Sequence, residues 1–411
     1  MGPTDQGAAA PYDPFDEGFQ ADPYPAYAWL RDHEPVHHHP ADHQAPAFWA
    51  LSRFDDVWQA VRNPEVFSSA QGLTFYAEEI SRLGLAPTIV MLDPPRQTEL
   101  RGLIGRGFTP RRVAALEEEI RSFVRSRLDT IAARSAEGEP VDLHRDFSAT
   151  IPTHVLGRLL GVPEADRVRF GPWVRALTTL QGDGFSDASL AGDGVSAVAE
   201  MFEYFSEVIS DRRAHPRDDL IGALVAAEVD GQRLSDWDIL GFCFVMVAGG
   251  NDTTANLVSH AVALLDDAPD QRRLLLADPT LIDNAVVEFL RLEGSVQGLA
   301  RTTTREVTLH GTTIPAGDKV LMLYGAANRD DREFGPTAGE VDVRREIARH
   351  LGFGSGPHFC IGNHLARLQA RVALEELLAA FPHVAVDLEA AERHRSAFVR
   401  GWRSLPADLR P

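Results

Sequence analysis

The sequence FGSGPHFCIG, residues 353–362, decides the fold of this 411-residue chain. It places three glycines, a histidine and Cys360 within one short segment. Glycine permits backbone angles and close approaches that a side chain would prevent, so this spacing is typical of a tight loop that holds a sulfur atom beside a flat cofactor. Apolar residues recur at helical spacing from Leu365 to Leu378, which predicts a helix directly after the cysteine. We expect the N-terminal end of that helix to favour the thiolate form of Cys360.

This segment resembles the heme-binding signature of the cytochrome P450 monooxygenases, Phe-Gly-x-Gly-x-His-x-Cys-x-Gly, at every specified position. From the residues alone, the alternative is a glycine-rich turn around a buried core cysteine. The resemblance implies a heme b cofactor whose iron is bound by the Cys360 thiolate, a ligand that favours cleavage of the oxygen–oxygen bond. It also implies that Phe353 and Gly354 contact the heme and that His358 contacts a propionate.

A second motif lies on a long predicted helix. Ser235-x-x-Asp238 has the form of a capping box, and the apolar pattern continues to about Asp266, so we expect one helix over residues 235–266. Its middle, AGGNDTT at 248–254, contains two adjacent glycines, each of which weakens a helix by about 1 kcal/mol relative to alanine. A threonine hydroxyl that bonds to a carbonyl one turn earlier would open a local groove there. The pattern alone is also typical of a kinked helix with a polar plug.

The same motif resembles the oxygen-binding groove of the P450 I helix, Gly-Gly-x-Asp-Thr. The resemblance implies that Gly249 lies beside the heme and that Asp252 connects to bulk solvent. It also implies that Thr253 donates a proton to the dioxygen or positions water beside it. Dioxygen must gain two protons before its bond breaks, so a relay made of an acid and an alcohol meets a chemical requirement. We therefore predict Asp252 and Thr253 as catalytic residues.

Two segments resemble parts of the family that hold the heme propionates. The sequence DPPRQTELR at 93–101 resembles the start of the P450 C helix, which implies that Gln97 and Arg101 approach the propionates. The resemblance assigns Arg301 to a propionate as well. A guanidinium matches a carboxylate in both charge and geometry, so these roles are physically reasonable.

A third motif, Glu288-x-x-Arg291, resembles the buried ion pair of the P450 K helix. Its implied role is structural, because the pair supports the fold on the cysteine side of the heme. In the family an arginine or histidine often joins the pair. Our alignment places Glu340 at that position, which leaves the third partner open.

The composition predicts a globular protein without disulfides. Hydrophobic residues make up 44% of the chain, and the two cysteines, Cys243 and Cys360, are too few for a disulfide scaffold. Residues 1–14 lack the pattern of a signal peptide or a membrane anchor. The net charge of −20 argues against binding to nucleic acid. We therefore expect a cytoplasmic monomer that binds neither membranes nor nucleic acid.

The substrate pocket is predicted from two long connections and the motifs above. Residues 69–92, the expected B–C loop, are too apolar to face water and should form part of the pocket wall. Residues 178–195 are rich in glycine and serine, and we expect either the family's F–G lid or a merely flexible surface loop. The mostly apolar candidates predict a lipophilic substrate such as a terpenoid, steroid, fatty acid or polyketide. They are Leu73, Phe75, Tyr76, Ile89, Val90, Leu180, Val247, Ala248, Val296, Gln297, Leu299 and Val399.

The resemblance covers nearly the whole chain and implies both fold and reaction. We expect a mainly α protein, a triangular prism of about a dozen helices with a small β-rich region, formed by residues 1–411 as a single domain. The implied reaction inserts one oxygen atom from O2 into a C–H or C=C bond, as in secondary metabolism. The alternatives are a peroxide-driven heme-thiolate peroxygenase and a non-enzymatic heme sensor or carrier.

Electrons must come from partner proteins, because nothing in the chain resembles a flavin or iron–sulfur module. We expect electrons from NAD(P)H to arrive through a ferredoxin reductase and a ferredoxin. A basic docking face for an acidic ferredoxin is expected on the cysteine side of the protein. Its candidate residues are Arg101, Arg106, Arg111, Arg112, Arg349 and Arg367.

Overall fold

The computed structural model describes residues 12–76, 79, 87–105, 108–181, 188–229 and 232–409, and only the backbone of residues 177–181, 188–194, 229 and 232. The described chain is mainly helical with small β-sheets, as predicted. The helices are α1 (Glu17–Ala21), α2 (Tyr24–His33), α3 (Phe54–Val61), α4 (Arg96–Gly105), α5 (Pro110–Ala114), α6 (Glu117–Ala136), α7 (Thr150–Leu159), α8 (Phe170–Gln181), α9 (Ala188–Ala214), α10 (Leu220–Ala226), α11 (Asp236–Gly250), α12 (Asp252–Asp267), α13 (Pro269–Ala277), α14 (Ile282–Leu292), α15 (Tyr324–Ala327), α16 (Asp331–Phe334) and α17 (Asn363–Ala380). The strands are β1 (Val36–His39), β2 (Phe48–Leu51), β3 (Phe67–Ser68), β4 (Val141–Asp142), β5 (Glu228–Val229), β6 (Gln232–Arg233), β7 (Gly298–Thr303), β8 (Val307–Leu309), β9 (Thr312–Ile314), β10 (Lys319–Leu323), β11 (Ala385–Val386), β12 (Glu392–Arg393), β13 (Trp402–Ser404) and β14 (Pro406–Asp408).

The predicted long central helix is two helices, α11 and α12, that meet at Asn251. Its start is as predicted, because the Ser235 hydroxyl accepts from the Asp238 N–H and the Asp238 carboxylate accepts from the Ser235 N–H. The prediction of one continuous helix was wrong at its centre. There the Asn251 side chain donates to the Thr153 hydroxyl on α7 at 3.0 Å, directly after the two glycines that weaken the helix.

The largest of three apolar clusters in the described chain forms the main core and holds this junction opposite the cysteine loop. The core contains residues from Leu100 to Leu409, so it joins distant parts of the sequence. Within it, α12 packs against both α14 and α17. Because α17 begins three residues after Cys360, this packing fixes the cysteine relative to the α11–α12 junction.

A five-stranded sheet supplies another wall of the site. Its strand order is β1-β2-β10-β7-β3, with β10 parallel to β2 and the other neighbours antiparallel. Strand β10 is buried at every residue, so it forms the centre of the sheet. On β7, Leu299 and Arg301 are two residues apart and therefore lie on the same face. Among the described residues, no helix has both the length and the apolar character needed to cross a bilayer.

Candidate active site

The cysteine loop is held by its glycines and by backbone hydrogen bonds. Gly354 and Gly356 have φ values of 67° and 69°, in the left-handed region that favours glycine. A Cβ atom on Gly356 would lie 2.8 Å from the carbonyl oxygen of Val61, so this position also needs a residue without a side chain. The Cys360 N–H donates to the Phe353 carbonyl at 2.9 Å. The loop is therefore tight, as the sequence predicted.

The protonation of Cys360 differs from the prediction. Burial raises the pKa of the Cys360 thiol, while a hydrogen bond from Gly362 and the charge of Arg101 lower it only in part. In the protein alone, the pKa of Cys360 is therefore shifted upward rather than downward as predicted, because desolvation of a buried anionic sulfur outweighs the nearby dipoles. A metal ion bound by the sulfur would supply the missing positive charge.

A cavity of about 300 Å³ lies between the cysteine loop and the α11–α12 junction. Gly249 and Thr253 face it from the helices, and the Thr253 hydroxyl donates to the Gly249 carbonyl at 2.6 Å. This is the threonine bond that the motif predicted. A Cβ atom on Gly249 would meet no atom within 4 Å, so this glycine borders open space rather than packed protein.

The edge of the cavity is basic. It is lined by Arg101, Arg301, His358 and Gln97. Arg301 is only 3% exposed, and its guanidinium donates to the Ala300 carbonyl at 2.7 Å. Among the described residues, neither arginine has a carboxylate within ion-pair distance. A guanidinium that is buried without a carboxylate is costly, so the site lacks an anionic partner that a ligand would provide.

These residues fit a heme. The cavity offers one thiol on a wall, open space beside Gly249 on the facing wall, and two arginines that lack a carboxylate partner among the described residues and could bind two propionates. His358 has its Nε2 atom 3.2 Å from the Ser69 hydroxyl, and Gln97 donates to the Pro357 carbonyl at 2.7 Å. The donor set therefore matches the cofactor that the cysteine motif implies.

Asp252 faces the other side of the helix from Thr253. It lines a second cavity of about 650 Å³, whereas Thr253 lines the first. The Asp252 carboxylate accepts a hydrogen bond from Asn256 at 2.9 Å. Burial raises the pKa of Asp252 to about 7, and the Asn256 bond lowers it only in part. The two predicted catalytic residues therefore line two separate cavities, one on each side of the helix.

Five of the predicted pocket residues line the first cavity. Those that line it are Leu73, Ile89, Val90, Val296 and Leu299. The side chain of Leu180 lies outside the part of the chain that the structure describes.

Six candidates are corrected, because each is used in packing instead. Phe75 and Tyr76 belong to an aromatic cluster, in which the Phe75 ring is 4.5 Å from that of Phe48. Gln297 donates to the Gly294 carbonyl at 2.7 Å and is 5% exposed. Val399 forms a β-bridge with Val296 and does not line the cavity. Val247 is completely buried in the core, and the neighbouring Ala248 also packs against it.

Several residues that line the cavity lie at helical spacing from Gly249 and Thr253 but were not predicted from the sequence. Counting back from Gly249 by three, four and seven residues gives Met246, Val245 and Phe242, which line the cavity where Val247 and Ala248 do not. Counting forward from Thr253 by four residues gives Leu257, which also lines it. Ser295 and Tyr324 line it as well, but they come from other elements and had no local signal.

The ion pair of α14 has a third partner that the alignment misplaced. Glu288 and Arg291 are both fully buried, with Arg291 Nε 2.6 Å from Glu288 Oε2. The third partner is Arg345, whose Nε atom lies 3.0 Å from Glu288 Oε1. Glu340 is exposed and contributes its backbone carbonyl to Arg345. The irregular chain after α16 brings Arg345 back to α14, which spacing alone could not show.

The six arginines of the predicted docking face do not act together. Arg101 lines the cavity, and Arg106 lies outside the described residues. Arg349 is paired with Glu333 and Asp55, and Arg367 with Asp283. Of the six, only Arg111 and Arg112, on α5, are exposed and have no carboxylate of a described residue within ion-pair distance. Helix α5 packs against α17, so this pair lies on the cysteine side.

Comparison with known proteins agrees with this geometry. A family model described as Cytochrome P450 matches residues 274–399. Cytochrome P450 130 of Mycobacterium tuberculosis is 47% identical over 394 residues, which cover 93% of this chain and 94% of that protein. The vitamin D(3) 25-hydroxylase of Pseudonocardia autotrophica is 37% identical over 97% of both chains.

Solved structures are similar over the same extent. Mycobacterium marinum cytochrome P450 CYP268A2 in complex with pseudoionone has a TM-score of 0.87 and 33% identity, covering 98% of this chain and 100% of that one. The fold, the heme-compatible site and the relatives lead to one conclusion. This chain belongs to the cytochrome P450 family and is a monooxygenase.

Proposed function

We propose that this enzyme hydroxylates or epoxidises a lipophilic small molecule in the cavity above Cys360. The observation that carries the proposal is the composition of the cavity wall. One thiol and two arginines lie at its base and edge, and the rest of the wall is largely apolar. Such a wall favours an apolar substrate through burial, while the few polar groups hold the cofactor.

Heme b is the cofactor that these residues would hold. The Cys360 thiolate would bind the heme iron, and Arg101, Arg301, His358 and Gln97 would bind the propionates. Phe353 and Gly354 line the same cavity and would pack against the heme. When bound, the heme would supply the activation of dioxygen and the transfer of one oxygen atom to the substrate.

The two helix residues would control protons. The Thr253 hydroxyl lies in the first cavity and donates its single proton to the Gly249 carbonyl at 2.6 Å, so it would donate to another acceptor only after rotating away. While it is held there, its oxygen can still accept a hydrogen bond from water. Asp252 would supply the proton from the opposite side of the helix, because its pKa of about 7 lets it both gain and lose a proton near neutral pH. The apolar wall would exclude other water from the site.

The substrate class is tested by a spectroscopic screen of the heme-loaded enzyme. The panel contains vitamin D3 and pseudoionone, which the names of two similar proteins mention, together with fatty acids and polyketide lactones. We expect at least one lipophilic compound to displace water from the ferric iron and convert the low-spin Soret band to the high-spin band. A screen in which polar compounds shift the band and no lipophilic compound does would contradict the proposal.

A cavity variant makes the same screen specific. Val245→Phe fills the space that Val245 borders and should weaken the binding of the active compound by about tenfold or more. The matched control is Leu388→Phe, because Leu388 is 52% exposed, follows strand β11 and does not line this cavity. Equal binding by both variants would place the substrate outside this cavity.

Electrons would reach the enzyme from NAD(P)H through a ferredoxin reductase and a ferredoxin. We propose that the ferredoxin binds near Arg111 and Arg112, because these exposed charges lie on the helix that packs against α17. The local positive charge opposes the net charge of −20 and would steer an acidic partner to this face.

Charge reversal tests the docking site. We expect Arg111→Glu with Arg112→Glu to weaken ferredoxin binding at low salt by about tenfold, with a smaller effect at high salt. The control is Arg305→Glu, an exposed arginine in the turn between β7 and β8. An unchanged binding constant in the double variant would refute the site but leave the reaction class intact.

The alternative, a peroxide-driven enzyme, can be distinguished by the oxidant that supports product formation. The acid and the alcohol on α12 favour the dioxygen route, because hydrogen peroxide would bring its own protons. Product formation with ferredoxin and NAD(P)H should therefore exceed that with peroxide alone. We also propose that residues 1–411 form a single domain, that the protein is a monomer and that it is cytoplasmic. The five-stranded sheet supports the first of these, because it joins strands β1, β2 and β3 to β7 and β10.

A further inference from the structure

The second cavity places a histidine beside Asp252. His394 follows strand β12, and its Nε2 atom lies 3.9 Å from Asp252 Oδ1. Both side chains are 11% exposed and line the cavity of about 650 Å³. The heme cavity does not include either residue. The cavity therefore offers Asp252 a histidine neighbour that the proposed oxygen chemistry has not used.

One asparagine fixes both partners of this arrangement. Asn256 Nδ2 donates to Asp252 Oδ2 at 2.9 Å, and Asn256 Oδ1 accepts from the Trp402 N–H at 2.9 Å. Gly401 packs so closely that a Cβ atom there would lie 2.4 Å from Asn256 Nδ2. The backbone N–H of His394 donates to the Gly401 carbonyl at 3.0 Å, so the histidine backbone is fixed to the same segment. The spacing of Asp252 and His394 is therefore built into the fold.

The charges around the pair favour proton exchange over a fixed ion pair. Among the described residues, no arginine or lysine lies within ion-pair distance of Asp252. Burial raises the pKa of Asp252 to about 7. Burial together with Arg403 lowers the pKa of His394 to about 4, and a hydrogen bond with the Trp402 backbone offsets this only in part. The imidazole is thus neutral at neutral pH, with one nitrogen that donates and one that accepts. The other titratable or charged groups that line this cavity are His144, Arg145, His154, Glu164, Arg167 and Arg175.

We propose that His394 is a positioning residue through which Asp252 takes up protons from the second cavity. In this step one ring nitrogen of His394 accepts a proton from a hydronium ion or a buffer acid in the second cavity, which leaves water or the buffer base, while the other ring nitrogen releases its proton to the Asp252 carboxylate. One proton enters and one leaves, so the imidazole returns to its neutral form as the other tautomer. The gap of 3.9 Å is wider than a hydrogen bond and closes by side-chain rotation or by one bridging water. The inference rests on the role proposed for Asp252.

The first test needs no substrate, because it follows the proton itself. The heme-loaded enzyme is mixed with D2O near pH 6, and the deuterium shift of the protonated Asp252 carboxyl band is followed by rapid-mixing infrared spectroscopy. Asp252→Asn identifies the band by removing it. We expect His394→Gln to slow the exchange by about tenfold, because glutamine can donate a hydrogen bond but cannot pass a proton.

The second readout is the pKa of Asp252, taken from the same infrared band. His394→Phe removes the hydrogen-bond donor near the carboxylate and should raise the pKa by about half a unit or more, since a donor favours the charged form. His394→Gln should restore the parent value within about 0.3 unit. His394→Gln should therefore restore the pKa of Asp252 but not the rate of exchange. This difference would not arise if the histidine only filled space.

The third readout is turnover with the compound that gives the largest high-spin fraction in the screen. We expect His394→Gln to lower the product-forming rate by about tenfold and to increase the solvent deuterium isotope effect. The matched control is His154→Gln, because His154 lines the same cavity but stacks on Phe123 and has its Nδ1 atom 3.2 Å from Arg167. The control should keep the parent exchange rate, pKa and isotope effect.

Two results would overturn the proposal. One is parent-like carboxyl exchange in His394→Gln, and the other is an equal slowing in His154→Gln. The role of Asp252 itself is judged separately. If Asp252→Asn kept the parent product rate, that role would fail whatever the exchange measurement gave.

Discussion

Removal of the Asp252 charge should stabilise the protein at alkaline pH while it abolishes efficient turnover. Burial raises the pKa of this carboxyl from 3.8 to about 7, because water no longer solvates the charged form and only Asn256 donates to it. Folding therefore favours the protonated acid. The stability that this gives is present below the unfolded pKa of 3.8 and is lost as the pH rises through about 7.

The size of the effect follows from the two pKa values. A difference of about 3 units at 1.36 kcal/mol per unit corresponds to about 4 kcal/mol in the free energy of unfolding. Asp252→Asn keeps the shape of the side chain without the charge and so should gain most of this amount above pH 7. For a chain of this length, 4 kcal/mol corresponds to a rise in Tm of about 5 °C.

The assay is thermal unfolding of the heme-loaded parent and variant at pH 5 and pH 8. The advantage of Asp252→Asn should grow by about 3 kcal/mol between these values, because the penalty accumulates between pH 4 and pH 7. The control is Asp267→Asn at the exposed end of the same helix, for which we expect less than about 0.5 kcal/mol at either pH. A variant that is less stable than the parent by the same amount at both pH values would refute the reasoning.

Three further changes test other parts of the site. Glu288→Gln leaves the buried Arg291 and the partly buried Arg345 opposite a neutral group and should lower the free energy of unfolding by about 3 kcal/mol in urea titration, whereas the exposed Glu340→Gln should change it by less than about 0.5 kcal/mol. Thr253→Ala should keep NAD(P)H consumption but lower the product formed per NAD(P)H, and Thr253→Ser should restore it because the hydroxyl returns; an unchanged ratio in the alanine variant would contradict the proton role. Gly356→Ala should lower Tm and weaken heme retention at a cost of about 1–3 kcal/mol, because its φ of 69° is unfavourable and its Cβ would lie 2.8 Å from a carbonyl oxygen; a parent-like Tm would show that the loop relaxes.

Two predictions based on short motifs were correct because the geometry of such motifs is local. The glycines before Cys360 predict a tight loop, and the structure has positive φ angles at Gly354 and Gly356. The Ser235 capping box predicts the start of α11, because its two hydrogen bonds join residues within one turn. Such features depend on a few neighbouring residues and can be read without knowing the rest of the fold.

The features that the sequence did not reveal depend on distant contacts. Arg345 reaches Glu288 only because the chain after α16 folds back onto α14. His394 meets Asp252 only because Asn256 holds the Gly401–Trp402 segment against α12. The pocket residues on α11 are an intermediate case, since Val245 and Met246 follow from helical spacing once Gly249 is known to face the cavity.

The most direct test is the absorption of the reduced, carbon-monoxide-treated enzyme, because it reports whether a thiolate binds the heme iron. If Cys360 binds the heme iron, the parent and the buried-cysteine control Cys243→Ser will both show the thiolate-specific band. Cys360→Ser will lose that band while still binding heme through the arginines at the cavity edge. A thiolate-specific band that persists in Cys360→Ser, or that is absent from the heme-loaded parent, would contradict the assignment.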